Sequence, residues 1–171
     1  MIHLNIGSNL ESKFGNRFKN ISTAINLLID SKLKIIKISN FYQTPSYPNK
    51  KFPYFLNVGV LAHCKYDEVA LINEMKLIEK KLGRTRSKKN DPRVCDIDII
   101  DFNGQIIKSD NLIIPHKKSH LRNFVLYPIL QIDPDWVHPI SKKNVKFLIN
   151  NLNQKSRIEI TRLQKNVIIN T

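Results

Sequence analysis

The chain has 171 residues, of which 42% are hydrophobic and 25% are charged, and its formal net charge is +14. This length and composition predict one soluble, globular domain over residues 1–171, and they leave no apolar stretch long enough to cross a bilayer. The positive charge would suit a nucleic acid, an anionic membrane or a polyphosphate substrate. A compositional drift toward Lys, Ile and Asn explains it equally well, so charge alone does not decide between these partners.

The first half of the chain is predicted to contain three strands and two helices. Residues 2–6 alternate apolar and polar side chains, as in a strand, and residues 33–42 and 55–62 are two further apolar strand segments, the second of them central. Apolar residues that recur every three or four positions predict the two amphipathic helices. Their apolar faces consist of Phe14, Phe18, Ile21, Ile25 and Leu28 in the first helix, and of Leu71, Met75, Ile78 and Leu82 in the second.

The second half of the chain begins with a basic loop over residues 83–93. The elements predicted after it are a strand over 94–102, a turn at 103–104, short apolar pieces at 106–107 and 112–114, a helix over 124–132 interrupted at Pro128, a helix over 143–152, and a strand or hairpin arm within 157–169. The resulting order, β-α-β-β-α-β with C-terminal additions, predicts an α+β fold of the ferredoxin-like type with a mainly antiparallel sheet. That fold carries RNA binders as well as enzymes, so function has to come from the site.

The cellular compartment is predicted from the N-terminus and the cysteines. Residues 1–6 lack the basic head and apolar run of a signal peptide. Cys64 and Cys95 stand singly in apolar runs, without CxxC or ligand-like spacing, which favours buried reduced thiols over a disulfide or a metal site. We therefore expect a cytoplasmic protein.

Asp96 and Asp98 are predicted to lie on one face of the strand over residues 94–102. Successive side chains of a strand point to opposite faces, so these carboxylates emerge together while Cys95, Ile97 and Ile99 point into apolar surroundings. Two close carboxylates repel each other unless a cation lies between them, and Mg²⁺ typically binds one or two carboxylates together with substrate phosphates. The pair therefore indicates a metal site, although two aspartates that simply face water would show the same spacing.

The loop that leads into this strand is strongly basic. It carries Arg84, Arg86, Lys88, Lys89 and Arg93. The planar guanidinium of arginine matches phosphate oxygens, and acidic metal ligands flanked by arginines are typical of phosphoryl transfer. The alternative is a solvated basic loop. The chain contains neither a P-loop nor a kinase-type glycine loop, so a nucleotide would be held by cationic side chains and metal.

Five further residues are candidates for substrate contacts. His116 could contact a phosphate or a base and Arg122 a phosphate, although a lone surface histidine is at least as common. Phe55 and Phe124 could sandwich a flat heterocycle, but aromatic residues in apolar runs usually belong to the core. Asn57 lies in an apolar strand, where its amide needs hydrogen-bond partners that the edge of such a heterocycle could supply.

Taken together, these segments resemble the 6-hydroxymethyl-7,8-dihydropterin pyrophosphokinase family of folate biosynthesis. The match covers residues 6–139, about three-quarters of the chain, and its pieces follow the order of the family. These pieces are Ile6-Gly7-Ser8-Asn9-Leu10, Phe41-Tyr42-Gln43-Thr44-Pro45, Phe55-Leu56-Asn57, Glu79 with Gly83-Arg84, Pro92-Arg93 with Asp96-Ile97-Asp98, Ile114-Pro115-His116, Arg122-Asn123-Phe124-Val125-Leu126 with Pro128, and Asp133-Pro134 with His138-Pro139.

The resemblance implies an enzyme that transfers pyrophosphate from ATP to the hydroxymethyl group of the reduced pterin in a cleft beside the sheet. Its expected cofactor is a pair of Mg²⁺ ions held by Asp96 and Asp98. The expected partners are ATP and the pterin, without nucleic acid or membrane, and a monomer is expected. The implied roles are catalysis by Arg84, Arg93, Asp96 and Asp98; ATP binding by Glu79, Arg86, Ile99, His116 and Arg122; and pterin binding by Thr44, Pro45, Tyr47, Phe55, Asn57 and Phe124.

This sequence departs from the family pattern at three places. Asn90-Asp91-Pro92-Arg93 replaces the usual Trp-Gly-Pro-Arg run, Ser46-Tyr47 replaces Pro followed by an aliphatic residue or Gly, and Asn111 stands where relatives often carry an arginine. None of these changes removes either aspartate, Arg84 or Arg93.

Two other functions remain open at this stage. A small ferredoxin-like RNA-binding module would use the basic surface and exposed aromatic residues of the sheet, although the RNP-type aromatic pattern is missing. A hydrolase with the same metal site would release phosphate from a nucleotide without any pterin.

Overall fold

The computed structural model of the protein describes residues 1–85, 91–109 and 112–169. Its largest element is a six-stranded antiparallel sheet with the order β5-β1-β4-β3-β8, in which β2 also pairs with β4. The strands are Ile2–Ser8 (β1), Lys34–Ile38 (β2), Tyr42–Thr44 (β3), Phe55–His63 (β4), Asp96–Phe102 (β5) and Thr161–Arg162 (β8), and a separate hairpin consists of Ile107–Lys108 (β6) and Ile113–Ile114 (β7).

The helices occupy both faces of this sheet. They are Arg17–Asp30 (α1), Glu68–Lys81 (α2), Asn123–Ile132 (α3), Val145–Asn150 (α4) and Gln154–Ile158 (α5), with a 3₁₀ turn at Ser119–Leu121. The core strands and the first two helices reproduce the predicted ferredoxin-like α+β order, which is thereby confirmed. The expectation of one domain over residues 1–171 stays a prediction. In the described part of the chain, no helix is both long and apolar enough to span a membrane.

The first face of the sheet is apolar and packs against α1 and α2. Leu4, Ile6 and Val58 are fully buried there, together with the apolar side chains of both helices. Cys95 is buried in the same core as a free thiol, while Cys64 is half-buried and also free. The residue directly before each of these helices caps its N-terminus. The Asn16 side chain accepts a hydrogen bond from the Lys19 backbone amide, and the Asp67 side chain accepts one from the Ala70 backbone amide.

The second face carries a smaller core under α3 and α4. Its buried side chains are Ile100, Val125, Leu126, Ile129, Trp136, Val145, Leu148, Ile149 and Leu152. The close approach of α3 to the sheet depends on Gly59 in β4, because a Cβ atom there would lie only 2.8 Å from the Cβ of Pro128. This helix therefore covers one end of the second face.

Several predicted elements differ from the structure. The single strand predicted over 33–42 is wrong: β2 and β3 are separate, because the Ser39 hydroxyl accepts a hydrogen bond of 2.9 Å from the Gly59 amide and interrupts the ladder. The predicted interruption at Pro128 is also wrong, since α3 continues through it. Phe14 lies before α1, in the turn that ends at Gly15 (φ +123°).

The C-terminal segment extends the sheet beyond β3. The tail was predicted to add a strand or hairpin arm, and β8 is a strand of two residues that pairs with Tyr42 and Gln43. The preceding α5 was not predicted, since its five residues are too few to show helical periodicity. The side-chain Nδ2 of Asn123 donates a hydrogen bond of 2.6 Å to the Ser156 carbonyl oxygen, which connects α5 to the start of α3.

We expect Gly59→Ala to destabilise the fold, because the added methyl group would meet Pro128 at 2.8 Å and push α3 away from the sheet. Overpacking of this kind typically costs about 1–3 kcal/mol. Urea denaturation followed by circular dichroism would measure the difference in the free energy of unfolding. A free energy of unfolding equal to that of wild type would contradict the packing argument.

Candidate active site

The strand register places five polar or small residues on the second face of the sheet, beyond the end that α3 covers. Gly7 in β1 pairs with Asn57 in β4 and with Asp96 in β5, and Asn5 pairs with Asp98. Directly paired residues of antiparallel strands point to the same face, so these positions form one continuous surface. The prediction that Asp96 and Asp98 share a face is therefore confirmed. Their neighbours in β5 point into the core.

Two arginines from different segments converge on Asp96. Arg84 donates to Oδ1 of Asp96 at 2.7 Å, and Arg93 forms an ion pair with Oδ2. Arg84 also forms an ion pair with Glu79 at the end of α2. The same Glu79 carboxylate accepts a hydrogen bond of 2.7 Å from the Ile97 amide, so it fixes both the arginine and the start of β5. Burial raises the pKa of Glu79, although Arg84 opposes that shift.

Asp98 has a weaker counter-charge than Asp96. Its Oδ2 is 3.8 Å from Nη1 of Arg122. Burial, and then the charge of Asp96, raise the pKa of Asp98 far above the ordinary value for a carboxyl group. The two neighbouring carboxylates therefore favour a bound cation, because a cation would relieve their repulsion.

His116 and Arg122 adjoin the two aspartates. Nη1 of Arg122 is 3.5 Å from Nε2 of His116. Burial, and then the positive charge of Arg122, lower the pKa of His116 to about 4. The imidazole is therefore neutral at pH 7 and can contact a ligand without adding charge.

Aromatic rings stand under two of the arginines. The guanidinium of Arg93 lies 5.1 Å from the centre of the Phe55 ring, and that of Arg122 lies 5.4 Å from the Phe124 ring. Both rings are half-buried, so neither is an ordinary core residue. Each cationic group thus stands beside a flat apolar surface, which suits a ligand with both phosphates and a heterocycle.

The remaining predicted pterin residues divide into two groups. Thr44 pairs with Phe55 across β3 and β4, so its buried side chain faces the same side as Asn57, and Pro45 follows it half-buried. Tyr47, in contrast, is 82% exposed and does not turn into this surface.

For two of the residues predicted to bind ATP, the structure describes no side chain on this surface. Ile99 is buried on the opposite face of β5, so only its backbone is left for a nucleotide contact. Arg86 lies outside the described residues, as do Lys88, Lys89, Asn90 and Asn111.

Asn9 has a larger role than the sequence indicated. It is 1% exposed, its Nδ2 donates to the Ser46 hydroxyl at 3.2 Å and to the Pro53 carbonyl at 3.3 Å, and its Oδ1 accepts a hydrogen bond of 2.7 Å from the Arg93 amide. The sequence alone assigned no separate role to this residue. Its place in the Ile6–Leu10 motif was the available signal, but its partners lie 37 to 84 residues away in sequence.

The aspartate pair fits a divalent cation that substrate helps to hold. The described residues contain no cluster of three or more His, Cys, Asp or Glu side chains that could bind a metal alone. Asp96 and Asp98 supply two carboxylates, and Mg²⁺ characteristically combines one or two carboxylates with substrate phosphates and water. The arginine ion pairs to Asp96 show that this carboxylate already attracts positive charge.

The family model of 7,8-dihydro-6-hydroxymethylpterin-pyrophosphokinase matches residues 3–134. The chain belongs to this family. The resemblance inferred from the motifs is thereby confirmed. Among related proteins, the 2-amino-4-hydroxy-6-hydroxymethyldihydropteridine pyrophosphokinase of Aquifex aeolicus is 34% identical over 145 residues, which cover 85% of this chain and 88% of that protein.

Other relatives of the pyrophosphokinase family are much longer than this chain. The folic acid synthesis protein fol1 of Pneumocystis carinii is 37% identical over 140 residues, which are 82% of this chain but 18% of that protein. The crystal structure of wild-type Plasmodium falciparum HPPK-DHPS superimposes with a TM-score of 0.69 at 18% identity, covering 94% of this chain and 47% of that one. The latter likeness supports the fold.

We expect the ring of His116 to stay neutral down to about pH 4, because burial and Arg122 disfavour its protonated form. An NMR titration of the histidine ring signals, assigned with His116→Gln, would show this. The unfolded chain takes up a proton near pH 6.5 and the folded chain does not, so His116 stabilises the fold above pH 6.5 and this contribution is lost as the pH falls toward 4. A midpoint above pH 6 would contradict the enclosed position of the ring.

Proposed function

We propose that the protein transfers the pyrophosphoryl group of ATP to the hydroxymethyl group of 6-hydroxymethyl-7,8-dihydropterin and releases AMP. The observation that carries this proposal is the cluster formed by Asp96, Asp98 and three arginines on the same sheet face as Asn57 and Phe55. Phosphate-binding charge and a site for a flat, hydrogen-bonding ring are thus adjacent, as a reaction between these two substrates requires. Membership of the pyrophosphokinase family supports the same conclusion.

The reaction exchanges one bond to phosphorus for another. The hydroxymethyl oxygen attacks the β-phosphorus of ATP, the bond from that phosphorus to the α–β bridging oxygen breaks, and AMP leaves while the hydroxyl proton is lost. Such transfers depend mainly on positioning and on neutralising the charge of the transferred group. The chain therefore has to hold two anionic or polar substrates in line.

Arg84 and Arg93 are proposed to neutralise the charge that develops on the transferred group. Both guanidinium groups are fixed at Asp96, and Nε of Arg93 is buried without a hydrogen-bond partner among the described residues. That donor is available for a phosphate oxygen. The ion pairs hold the arginines in place before substrate arrives, so less ordering is needed during the reaction.

Asp96 and Asp98 are proposed to hold two Mg²⁺ ions together with the phosphates of ATP. Bound Mg²⁺ would supply Lewis-acid chemistry and offset negative charge on the transferred group. ATP binding is further assigned to Arg122 and to the neutral ring of His116, which lies 3.5 Å from it. Arg86 and the backbone of Ile99 are proposed contacts of the same nucleotide, and Glu79 supports Arg84.

The reduced pterin is proposed to lie beside β3 and β4. Phe55 and Phe124 would offer it flat surfaces, Asn57 a hydrogen-bonding amide, and Thr44 and Pro45 the adjacent wall. Tyr47 is exposed in the absence of substrate, so a contact to the pterin would require it to turn inward. A monomer and a cytoplasmic location are proposed from the sequence alone.

The decisive experiment measures AMP release from ATP and Mg²⁺ with and without 6-hydroxymethyl-7,8-dihydropterin. Pterin-dependent AMP is expected, whereas an ordinary kinase would leave ADP and a hydrolase would act without the pterin. The absence of AMP from folded protein would overturn the proposal. The RNA-binding alternative, which no related protein supports, would then predict an oligonucleotide affinity that falls steeply with salt.

We expect Asp98→Asn to lower turnover by about 100-fold or more, because the neutral amide keeps the shape of the side chain but loses the charge that attracts the metal. The AMP assay measures the effect, and thermal unfolding checks that the fold is retained. Asp135→Asn is the matched control, since the same change at an exposed residue should leave turnover nearly unaltered. Near-normal activity of Asp98→Asn would remove the metal assignment.

We expect Arg93→Ala to lower kcat more than it weakens pterin binding, since the charge that Arg93 neutralises grows in the transition state. Steady-state kinetics with both substrates would separate the two effects. Arg157→Ala, at an exposed position of α5, controls for the loss of one positive charge from a strongly basic protein. An increase in KM for ATP with unchanged kcat would instead indicate simple ground-state binding.

A further inference from the structure

Asn5 and Asn57 form a pair of buried amides in the centre of the sheet. They are 4% and 3% exposed, and Nδ2 of Asn5 donates a long hydrogen bond of 3.4 Å to Oδ1 of Asn57. The other amide atom of each residue, Oδ1 of Asn5 and Nδ2 of Asn57, is buried and has no hydrogen-bond partner within the described residues. Asn5 has no role in the site as derived so far.

Unpaired buried amide atoms are unusual, because desolvation without a hydrogen bond destabilises the fold. Two such atoms in neighbouring strands of one sheet face therefore indicate a ligand that pairs with them. Whichever way the two amides are turned, a single hydrogen bond between them leaves one donor and one acceptor free.

The space next to this pair is kept open by Gly7. A Cβ atom on Gly7 would lie 3.0 Å from Oδ1 of Asn57 and 3.6 Å from the Phe55 ring, so any side chain there would fill the approach to the amide. On its other side Asn5 pairs directly with Asp98. Asn5 thus stands between the proposed metal ligands and the proposed pterin contacts Asn57 and Phe55.

We propose that Asn5 and Asn57 together recognise the pyrimidinone ring of the pterin, one amide donating and the other accepting a hydrogen bond. That ring carries a donor and an acceptor on neighbouring atoms at two places, N3–H with O4 and the 2-amino group with N1. Asn5 is then a specificity-determining residue that the motif analysis did not include. This inference rests on the proposed function, because it concerns the substrate of the same site.

The first test compares the affinity of Asn5→Ala and wild type for 6-hydroxymethyl-7,8-dihydropterin. Pterin fluorescence is titrated in the presence of Mg²⁺ and a non-hydrolysable ATP analogue. Loss of a hydrogen bond to a substrate is expected to raise the pterin Kd about tenfold, with the nucleotide Kd unchanged. Asn20→Ala is the matched control, because the Asn20 side chain is also buried and its hydrogen bonds within the described residues go to Ser12 and Leu10.

The second test separates recognition from a structural role. Wild type is expected to discriminate against at least one of two analogues, the N3-methyl pterin or the 2-oxo compound, and this discrimination is expected to shrink in Asn5→Ala. Asn5→Leu replaces the unpaired amide with an apolar group of similar size. It is expected to unfold at the same or a higher temperature than wild type while binding the pterin more weakly.

The inference would be overturned by a pterin Kd within about twofold of wild type in Asn5→Ala, by an equal loss of pterin and nucleotide binding, or by unchanged discrimination against both analogues. A loss confined to Mg²⁺ and nucleotide would likewise overturn it, and would make Asn5 an oxygen ligand of the cation beside Asp98. Wild-type protein that forms pterin-dependent AMP in any of these cases leaves the proposed function intact. Should an Asn5→Ala variant fail to fold, Asn5→Ser supplies the same comparison.

Discussion

The charge balance around Asp96 determines the arrangement of the whole site. Arg84 follows α2 and Arg93 precedes β5, so their guanidinium groups bring two segments of backbone together at this one carboxylate. Because residues on either side of Asp96 are anchored in the apolar core, β5 cannot slip by one residue without placing a charge among apolar side chains. Glu79 adds a second negative group from α2. The cluster is therefore a junction of helix, loop and strand, and its geometry is set before substrate binds.

The core of the fold could be predicted from the spacing of apolar residues and from the order of the segments along the chain. Alternation in β1 and the helical spacing of apolar residues gave the core elements and their order. The errors arose where a tertiary contact overrides a local preference. Pro128 lies within α3 and packs closely against Gly59 of the sheet, and the strand predicted over 33–42 breaks because Ser39 takes a backbone partner. Neither contact is visible in a local pattern.

The candidate site was predictable to a similar extent. The period of two in a strand placed Asp96 and Asp98 on one face, and an amide in an apolar run singled out Asn57. The same period puts Asn5 on that face as well, but a polar residue in a first strand is ordinary until the register reveals its neighbours. Tyr47 shows the reverse case, because the resemblance implied a pterin contact for a side chain that is exposed.

The hydrogen bonds of Asn9 have a consequence for how this protein can change over generations. One side chain holds Ser46 and Pro53 in one loop and the backbone of Arg93 in another. A substitution that reshapes the loop around Ser46 therefore also shifts the backbone of Arg93, far away in sequence, and its fitness effect depends on the residues of both loops. Change in one loop is thus constrained by the other, and compensating changes are expected to be inherited in pairs.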